Sequence, residues 1–519
     1  MEFSALVRHA NSLRRLLHAG LRVYEAETSL PSIANRHYCS ATTKNRRPTL
    51  ASVIYPLGHP SNNMTTELDR WVKNGNRTRP VELRELVRDL RKRRRFSNAL
   101  EVSQWMKDKC HVPFTPGDHA VELDLIGRIQ GSVSAESYFN SMHERDKTEK
   151  TYGALLNCYV RECLVDKTLS HLQKMKEMGL ASSALTYNDI MCLYTNTGQH
   201  EKVPLVLAEM KENGVLPDNF SYRICINSYG RRSDIDGMEK VFKEMEHQPQ
   251  IVVDWNTYSV VANIYIKAGL QEKAVTILKK YEEKLEKRNG LCYNHLISLY
   301  GSLGMKSEIQ RIWEIQKLNG VKLINRDYST MIGTLVKLGE LEEAEVLLKE
   351  WETSGNACDF RVPNILLVGY REKGLLEKAE ELLDDFLKKG KQPPASSWGI
   401  VALGYSGKGE ISKAYECMKN ALCMYAPNTG WEPKDHVIDD ILHWLGHEGD
   451  PDEVETFVNL LKIACPMNRS MYHTLIRANV RCGKSVKEIL KNMKSSGIDE
   501  NEETKEILSS SSNPSIPAI

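Results

Sequence analysis

The segment WNTYSVVANIYIKAGLQEKAVTILKKYEEKLEKRN (255–289) contains two amphipathic stretches separated by a glycine. In the first stretch, apolar and aromatic residues recur at three- and four-residue intervals from Thr257 to Tyr265, and this pattern predicts a helix. Gly269 breaks the pattern, and glycine reaches a left-handed helix cap without steric cost. A second helical pattern resumes at Ala274. The segment therefore predicts a helical hairpin.

The same hairpin pattern recurs along the chain at intervals of 35 or 36 residues. One aromatic residue, which we call the anchor, marks the first helix of successive units at Tyr152, Tyr187, Tyr222, Tyr258, Tyr293 and Tyr328. The turn is marked by Gly269, Gly304, Gly339, Gly374 and Gly409, and an alanine follows at Ala274, Ala344, Ala379 and Ala414. A single hairpin cannot bury its apolar face alone, so this period predicts stacking. We expect an all-α fold, a right-handed α-solenoid of about 10–12 repeats with an inner groove.

The stretch TYNDIMCLYTNTGQHEKVPLVLAEMKENGVLPD (186–218) resembles a pentatricopeptide repeat of the pure 35-residue class of plant organelles. It carries TYN at the start, a glycine turn, M-x-x-x-G near the end of the second helix and a closing PD. The resemblance covers about four fifths of the chain. The units that we delimit are 149–183, 184–218, 219–254, 255–289, 290–324, 325–359, 360–394, 395–434, 435–468 and 469–503.

The repeat array is therefore expected over residues 149–503, with two degenerate repeats before it over 81–148. Residues 39–80 are predicted to be a basic, poorly ordered linker. The tail 504–519 contains SSSSNPSIPAI and is predicted to be disordered.

The first 50 residues carry eight Lys/Arg against three acids, with leucines interleaved as in an amphipathic helix. An organelle transit peptide has this character, and RHYCS (36–40) resembles a matrix-peptidase site that would be cut after Tyr38. We predict a transit peptide over 1–38 and a mitochondrial location. The alternatives are a chloroplast location and an ordinary amphipathic cap helix.

Charge is distributed unevenly along the chain. Residues 70–95 carry eleven Lys/Arg and three acids and end in RKRRR (91–95), whereas residues 96–519 have a net charge of −9. The basic tract is either a solvated face or a contact for RNA phosphates. No run of 18 apolar residues indicates a membrane span, and the 12 cysteines include no C-x-x-C pair.

Motifs that would indicate catalysis are incomplete. RCGKS (481–485) ends like a phosphate-binding loop, but Ala478 occupies the place of its first glycine. After residue 469 the chain has neither the H-x-E nor the C-x-x-C of a zinc deaminase. We expect a protein that is not an enzyme and needs no cofactor, metal or small-molecule substrate.

The resemblance implies that the first helix of each unit lines the groove. The residue after the anchor (the reader position) and the last residue of the unit (the closing position) would contact one base, and the residue two before the anchor (the wedge position) would stack. The pairs that match family combinations are Asn188/Asp218 for uracil, Ser329/Asp359 for guanine and Ser259/Asn289 for adenine. Candidate wedges are Leu185, Phe220 and Leu291.

Other units depart from the family combinations. Their reader and closing residues are Gly153/Ser183, Arg223/Asp254, Asn294/Ile324, Asn364/Pro394, Gly399/Lys434 and Asp439/Asn468. Of these readers, Asn294 and Asn364 are included among the candidate RNA-binding residues because they are polar amides.

We interpret the chain as an organellar protein that binds single-stranded RNA in a superhelical groove and acts in transcript stabilisation, processing or translation. Two alternatives stay open at this point. One is a structural repeat subunit of the mitochondrial ribosome, and the other is a protein–protein scaffold without RNA contact.

Overall fold

The computed structural model describes residues 49–55, 63–109, 113–285, 289–320, 322–427 and 430–509, and every regular element in these ranges is a helix. The predicted transit peptide over 1–38 and the last residues of the predicted tail, 510–519, lie outside the described residues. The chain divides into two compact parts, each of several repeats. We call these parts the first unit, which extends up to Ile277, and the second unit, which begins at Leu278.

The first unit consists of helical hairpins preceded by two further helices. Its helices are α1 (Leu50–Ile54), α2 (Met64–Lys73), α3 (Pro80–Lys92), α4 (Phe96–Lys109), α5 (Pro116–Ile129), α6 (Ser132–Ser141), α7 (Glu149–Arg161), α8 (Val165–Glu177), α9 (Ala184–Asn196), α10 (Val203–Glu212), α11 (Asn219–Arg231), α12 (Ile235–Glu246) and α13 (Trp255–Lys267). Short 3₁₀ turns occur at Glu144–Asp146 and His200–Lys202. The boundary between the units falls within α14 (Gln271–Glu283).

The second unit continues the same pattern of hairpins. Its helices are α15 (Gly290–Ser302), α16 (Lys306–Leu318), α17 (Asn325–Leu338), α18 (Leu341–Thr353), α19 (Arg361–Glu372), α20 (Leu376–Lys388), α21 (Ala395–Lys408), α22 (Ile411–Cys423), α23 (Asp435–Glu448), α24 (Pro451–Ala464), α25 (Arg469–Arg481), α26 (Lys487–Ser495) and α27 (Glu502–Ser509).

In each unit, the first helix of one hairpin packs on the first helix of the next. Successive pairs are α7–α9, α9–α11 and α11–α13 in the first unit, and α15–α17, α17–α19 and α19–α21 in the second. The anchors are buried between these helices, and the turn-associated alanines are fully buried. This packing confirms the predicted stack of hairpins and the predicted burial of the periodic residues.

The turns between paired helices require a left-handed backbone. Gly339 and Gly409 cap their helices with φ of +85° and +79°. Cys163 and Ser233 occupy the equivalent turn position with φ of +56° and +57°, although they carry side chains that disfavour this region. The sequence pattern around glycine thus predicts the turn, but the turn forms without glycine as well.

Two segments are more ordered than we expected. Within the predicted linker 39–80, helix α2 buries Met64 and Leu68, which lie one turn apart on the same face. At the other end, α27 covers the start of the predicted tail, where Ile507 packs in a cluster with Tyr472. Both segments fold because each has apolar residues at helical spacing that reach a neighbouring hairpin.

Candidate nucleic-acid interface

The beginnings of the first helices bring the predicted reader, closing and wedge residues together. In the repeat that begins with α9, Leu185 is 58% exposed and Asn188, one turn later, is only 2% exposed. The closing residue Asp218 is exposed and caps the next first helix, α11, by accepting the backbone N–H of Ser221 at 2.8 Å. The repeat therefore offers an exposed apolar side chain beside a buried amide and an exposed carboxylate.

The amide of Asn188 is held by the last residue of its own repeat and by a residue in the first turn of the next first helix. Its Nδ2 donates to Oδ1 of Asp218 at 3.3 Å, and its Oδ1 accepts a hydrogen bond from the Ser221 hydroxyl at 2.7 Å. The structure thus brings together the predicted pair Asn188/Asp218. It also adds a third member, Ser221, which the sequence reading did not include.

The other two matching pairs are arranged differently. Asn289 caps α15 by accepting the backbone N–H of Leu291 at 3.2 Å, and Ser259 is half-buried in the first unit. Asp359 accepts from the Arg361 guanidinium at 2.6 Å, and this hydrogen bond lowers the pKa of Asp359, while Ser329 is half-buried. The predicted roles of these residues in base recognition stay predictions.

Arg223 occupies a reader position but forms an ion pair. Its guanidinium lies 3.1 Å from the closing residue Asp254 and 5.5 Å from the centre of the Phe220 ring. Asp254 also accepts from the Thr257 hydroxyl at 2.7 Å. The wedge Phe220 is half-buried beneath this guanidinium. The wedge Leu291, in another repeat, is also half-buried. This repeat therefore presents a closed ion pair where its neighbour presents an amide and an exposed acid.

A polar cavity of about 510 Å³ lies in the second unit where first helices begin. It is lined by Asn325, Asp359, Arg361, Asn364 and Ser396, among others. Two of the predicted RNA-binding residues, Asp359 and Asn364, thus share one cavity.

Part of the basic tract 70–95 is used in packing. Arg84 lies 2.8 Å from Asp118 and Arg91 lies 2.8 Å from Asp124, in both cases joining α3 to α5. Arg93 stacks 4.5 Å above the centre of the Tyr55 ring. Arg84, Arg91 and Arg93 therefore help to join the hairpins, whereas most of the other Lys/Arg side chains of the tract are exposed.

A row of basic residues lies in the last turn of the first helices and was not predicted from the sequence. Its members are Arg161, Arg231, Lys267, Lys337, Arg371, Lys408, His447 and Arg481. Arg231, Lys267, Lys337 and Lys408 are exposed. Their spacing follows the repeat period, so the same self-comparison that found the glycines could have found them.

The described residues contain neither a cluster suited to a metal ion nor a helix suited to span a membrane. Within these ranges, no group of three or more His, Cys, Asp or Glu side chains is arranged to hold a metal ion. No helix in the same part of the chain has both the length and the apolar character needed to cross a membrane.

Comparison with protein families matches the chain to repeat models. The PPR repeat family matches residues 182–231, and the PPR repeat matches residues 150–180, 220–248, 327–356 and 362–390. Each match begins within two residues of a unit delimited from the sequence.

Relatives with known names match over most of their length. The chain is 48% identical to the mitochondrial pentatricopeptide repeat-containing protein At4g21705 of Arabidopsis thaliana over 92% of this chain and 97% of that protein. It is 30% identical to the mitochondrial pentatricopeptide repeat-containing protein At4g01990 of the same plant, over 93% and 94% of the two chains.

A solved structure shows the same fold. The crystal structure of the pentatricopeptide repeat protein PPR10 from maize aligns with a TM-score of 0.50 at 18% identity, over 88% of this chain and 65% of that chain. This likeness confirms the predicted α-solenoid.

Proposed function

The chain belongs to the pentatricopeptide repeat family, and on this premise we propose that it binds single-stranded RNA along the first helices of its repeats. Its place of action is the mitochondrion, since At4g21705 and At4g01990 are named as mitochondrial proteins and match over nearly their whole length. This similarity favours the mitochondrion over the chloroplast.

The observation that carries the proposal is the group formed by Leu185, Asn188, Asp218 and Ser221. A splayed base needs an apolar surface for its face and polar groups for its edge. Leu185 is exposed and supplies the first, and the amide–carboxylate pair supplies the second.

The hydrogen-bond pattern of this group favours uracil. The Ser221 hydroxyl occupies Oδ1 of Asn188, so the amino group is the part that remains for a ligand, held only by long contacts of 3.3 and 3.5 Å to Asp218. An N–H donor suits a uracil carbonyl, and an exposed carboxylate suits the uracil N3–H. By the same family combinations, we propose guanine for Ser329/Asp359 and adenine for Ser259/Asn289.

The row of basic residues supplies contacts for phosphates. Phosphate contacts do not depend on base identity, and each adds to the salt dependence of binding. With a body of net charge −9 over residues 96–519, attraction to RNA must be local. The exposed cations Arg231 and Lys267 give such a local charge in the first unit.

A matched pair of double variants tests this role. Arg231→Glu with Lys267→Glu should weaken RNA binding by at least about tenfold and reduce the salt slope by roughly one to two. The control, Lys240→Glu with Lys243→Glu, makes the same charge change at exposed residues of the second helix α12. Equal losses in both double variants would mean that net charge, not the row, governs binding.

Ultraviolet crosslinking in isolated mitochondria, followed by sequencing of the attached RNA, tests the function as a whole. We expect a sharp footprint on one or a few transcripts. Reads confined to ribosomal RNA would favour a ribosomal subunit instead, and the lack of any crosslink would favour a protein scaffold.

The proposal contains no catalytic step. Binding alone shields an RNA segment from nucleases and keeps it unfolded, which suits a role in transcript stabilisation, processing or translation. It includes the predicted organisation: a transit peptide over 1–38, degenerate repeats over 81–148 and the array over 149–503.

A further inference from the structure

Asparagine occupies the reader position in three repeats, at Asn188, Asn294 and Asn364. In each repeat, the residue 33 positions later lies in the first turn of the next first helix and contacts the asparagine amide. We call this the clamp position. It holds serine in two repeats, Ser221 and Ser397, and aspartate in one, Asp327.

A serine clamp leaves the amino group of the reader for a ligand. The Ser221 hydroxyl lies 2.7 Å from Oδ1 of Asn188 and 2.9 Å from Oδ1 of Asp218, and the shorter contact is the one to Asn188. Ser397 donates its hydroxyl hydrogen to Oδ1 of Asn364 at 2.6 Å. With the carbonyl oxygen occupied, the amino groups make only long contacts, 3.3 Å for Asn188 and 3.4 Å for Asn364. Both readers are therefore oriented as hydrogen-bond donors.

An aspartate clamp turns the amide over. An ionised carboxylate only accepts hydrogen bonds, so Asn294 must direct its amino group toward Asp327, and the Nδ2–Oδ1 distance is 2.6 Å. The second oxygen of Asp327 accepts the backbone N–H of Ile324 at 2.8 Å, which fixes the carboxylate. Asn294 therefore directs its amino group toward its clamp residue, whereas Asn188 directs its carbonyl oxygen toward its own.

That carbonyl oxygen has no partner among the described residues. Oδ1 of Asn294 is buried without a hydrogen bond, in a residue that is 5% exposed. An unsatisfied buried acceptor costs about 1–3 kcal/mol. The closing residue is Ile324, which is 43% exposed and offers no side-chain donor. A ligand N–H would satisfy the orphan oxygen.

We propose that the clamp residue sets the polarity of the reader, so that the Asn294 repeat selects a base with an exocyclic amino group, cytosine or adenine, over uracil. The Asn188 repeat selects uracil because its amide has the opposite orientation. This inference rests on the proposed RNA binding and deepens it, since one reader residue acquires two specificities from its neighbour.

Selection of RNA from a randomised single-stranded pool by the wild-type protein and its variants tests the inference. Asn188→Ala marks the nucleotide that faces Asn188, because its base preference should disappear. Asn188 and Asn294 lie three repeats apart, so the second nucleotide should lie three positions away. There the wild type should deplete uracil about fivefold to tenfold relative to cytosine and adenine, as expected for one hydrogen bond gained or lost.

Asp327→Ser installs the clamp that two other repeats already have. It should convert the preference at this nucleotide to uracil and leave the other positions unchanged. Asp327→Asn is the control, because an amide clamp can donate or accept and should relax the preference instead of reversing it. Thermal melting shows whether each variant is folded.

The outcomes are distinct. A folded Asp327→Ser protein that keeps the wild-type preference overturns the inference, and so does a wild type that selects uracil at this nucleotide, whether or not the variant folds. A wild type that enriches no sequence and binds no RNA of the pool overturns the proposed function itself. A base preference at the Asn188 nucleotide alone would support the proposed RNA binding but contradict the inference that the clamp residue sets the base preference.

Discussion

The repeats before residue 254 and those after residue 290 share one hairpin design, but the earlier part adds a buried ionic joint between its hairpins. In the earlier part, the carboxylate of Asp124, 8% exposed, is contacted by Arg91, Arg128 and Arg161 at 2.8 to 3.1 Å. In the later part, a first-helix tyrosine donates to a glutamate of the preceding repeat, as Tyr370 does to Glu345 at 2.7 Å, and the earlier part has the equivalent contact between Tyr159 and Glu136. One joint buries charge, and the other pairs a neutral donor with a half-exposed acid.

The turns within the hairpins also differ between the two parts. From residue 255 on, most turn positions are held by glycines with positive φ, such as Gly269, Gly304 and Gly374, whereas Gly449 has a φ of −71°. Every described non-glycine residue with positive φ lies earlier, at Arg94, Cys163 and Ser233. The later repeats therefore follow the regular pattern closely, whereas the earlier ones carry individual solutions that should be individually sensitive to substitution.

The largest effect should come from the buried carboxylate. Burial alone would raise the pKa of Asp124, but the charges of Arg128, Arg161 and Arg91 outweigh it and lower the pKa. Asp124→Ala leaves three guanidinium groups without their acceptor and should destabilise the α5–α7 region by about 3–5 kcal/mol.

Hydrogen exchange resolved by peptide is the suitable measurement, because neighbouring repeats need not unfold as one unit. The control, Lys378→Ala, removes an exposed partner of Glu345 in the later part. Comparable losses for the two variants would contradict the difference between the two kinds of joint.

The repeat design could be predicted from the sequence because it depends on local periodicity. Anchors such as Tyr222 and alanines such as Ala379 are buried as the period requires. The hydrogen bonds and ion pairs of the reader residues could not be predicted in this way, because they depend on partners in the next repeat. Asn188 and Arg223 hold the same position in the pattern, but Asn188 accepts a hydrogen bond from a serine, whereas Arg223 forms an ion pair with an aspartate.

The basic tract shows a second limit of sequence patterns. Eleven Lys/Arg within residues 70–95 suggest an RNA surface, yet Arg84 and Arg91 find acids more than 30 residues away. A count of charge along the chain does not include those partners. The clamp positions are different, since their constant spacing of 33 residues could be read once the structure has shown that they matter.

A pH experiment separates Asp124 from a second buried acid, Asp189. Burial raises the pKa of Asp189 to about 7, opposed mainly by a hydrogen bond from Asn157 at 2.9 Å. Its folded pKa thus lies above the unfolded value of about 3.9, so the folded state holds a proton that the unfolded state has lost. Stability should therefore fall as pH rises from about 4 to 7, by on the order of 3 kcal/mol.

Asp189→Asn is the test, because an amide does not titrate. Urea unfolding at pH 5 and pH 8 should show a smaller loss of stability in the variant than in the wild type, while contributions from other groups cancel in the difference. The opposite dependence, with the wild type gaining more than the variant toward pH 8, would mean that Asp189 is stabilised as a charged group in the manner of Asp124.

The turn positions should give an effect of about 1 kcal/mol with opposite signs in the two regions. Ser233→Gly relieves a left-handed residue with a side chain and should stabilise its hairpin, whereas Gly269→Ser introduces the same strain and should destabilise its own. Melting temperatures of the two variants and of the combined variant check this. A stabilising Gly269→Ser would show that the left-handed conformation carries no cost here.

The smallest effects should be equal in the two regions. Lys211–Glu244 in the first unit and Lys317–Glu350 in the second join residues 33 apart, and all four side chains are between 31% and 39% exposed. In both pairs the glutamate also accepts from an anchor, Tyr222 at 2.7 Å or Tyr328 at 3.1 Å. Because solvent screens both pairs alike, Lys211→Ala and Lys317→Ala should each cost about 0.2–1 kcal/mol.

These losses should shrink together in about 1 M salt, which shortens the screening length to roughly 3 Å. Urea unfolding of the two variants at low and high salt makes the measurement. If Lys211→Ala cost several kcal/mol more than Lys317→Ala, the earlier repeats would be the more sensitive at every contact. Equal losses would confine the difference to the buried arginine–aspartate joints and to the turns, where the two regions are built differently.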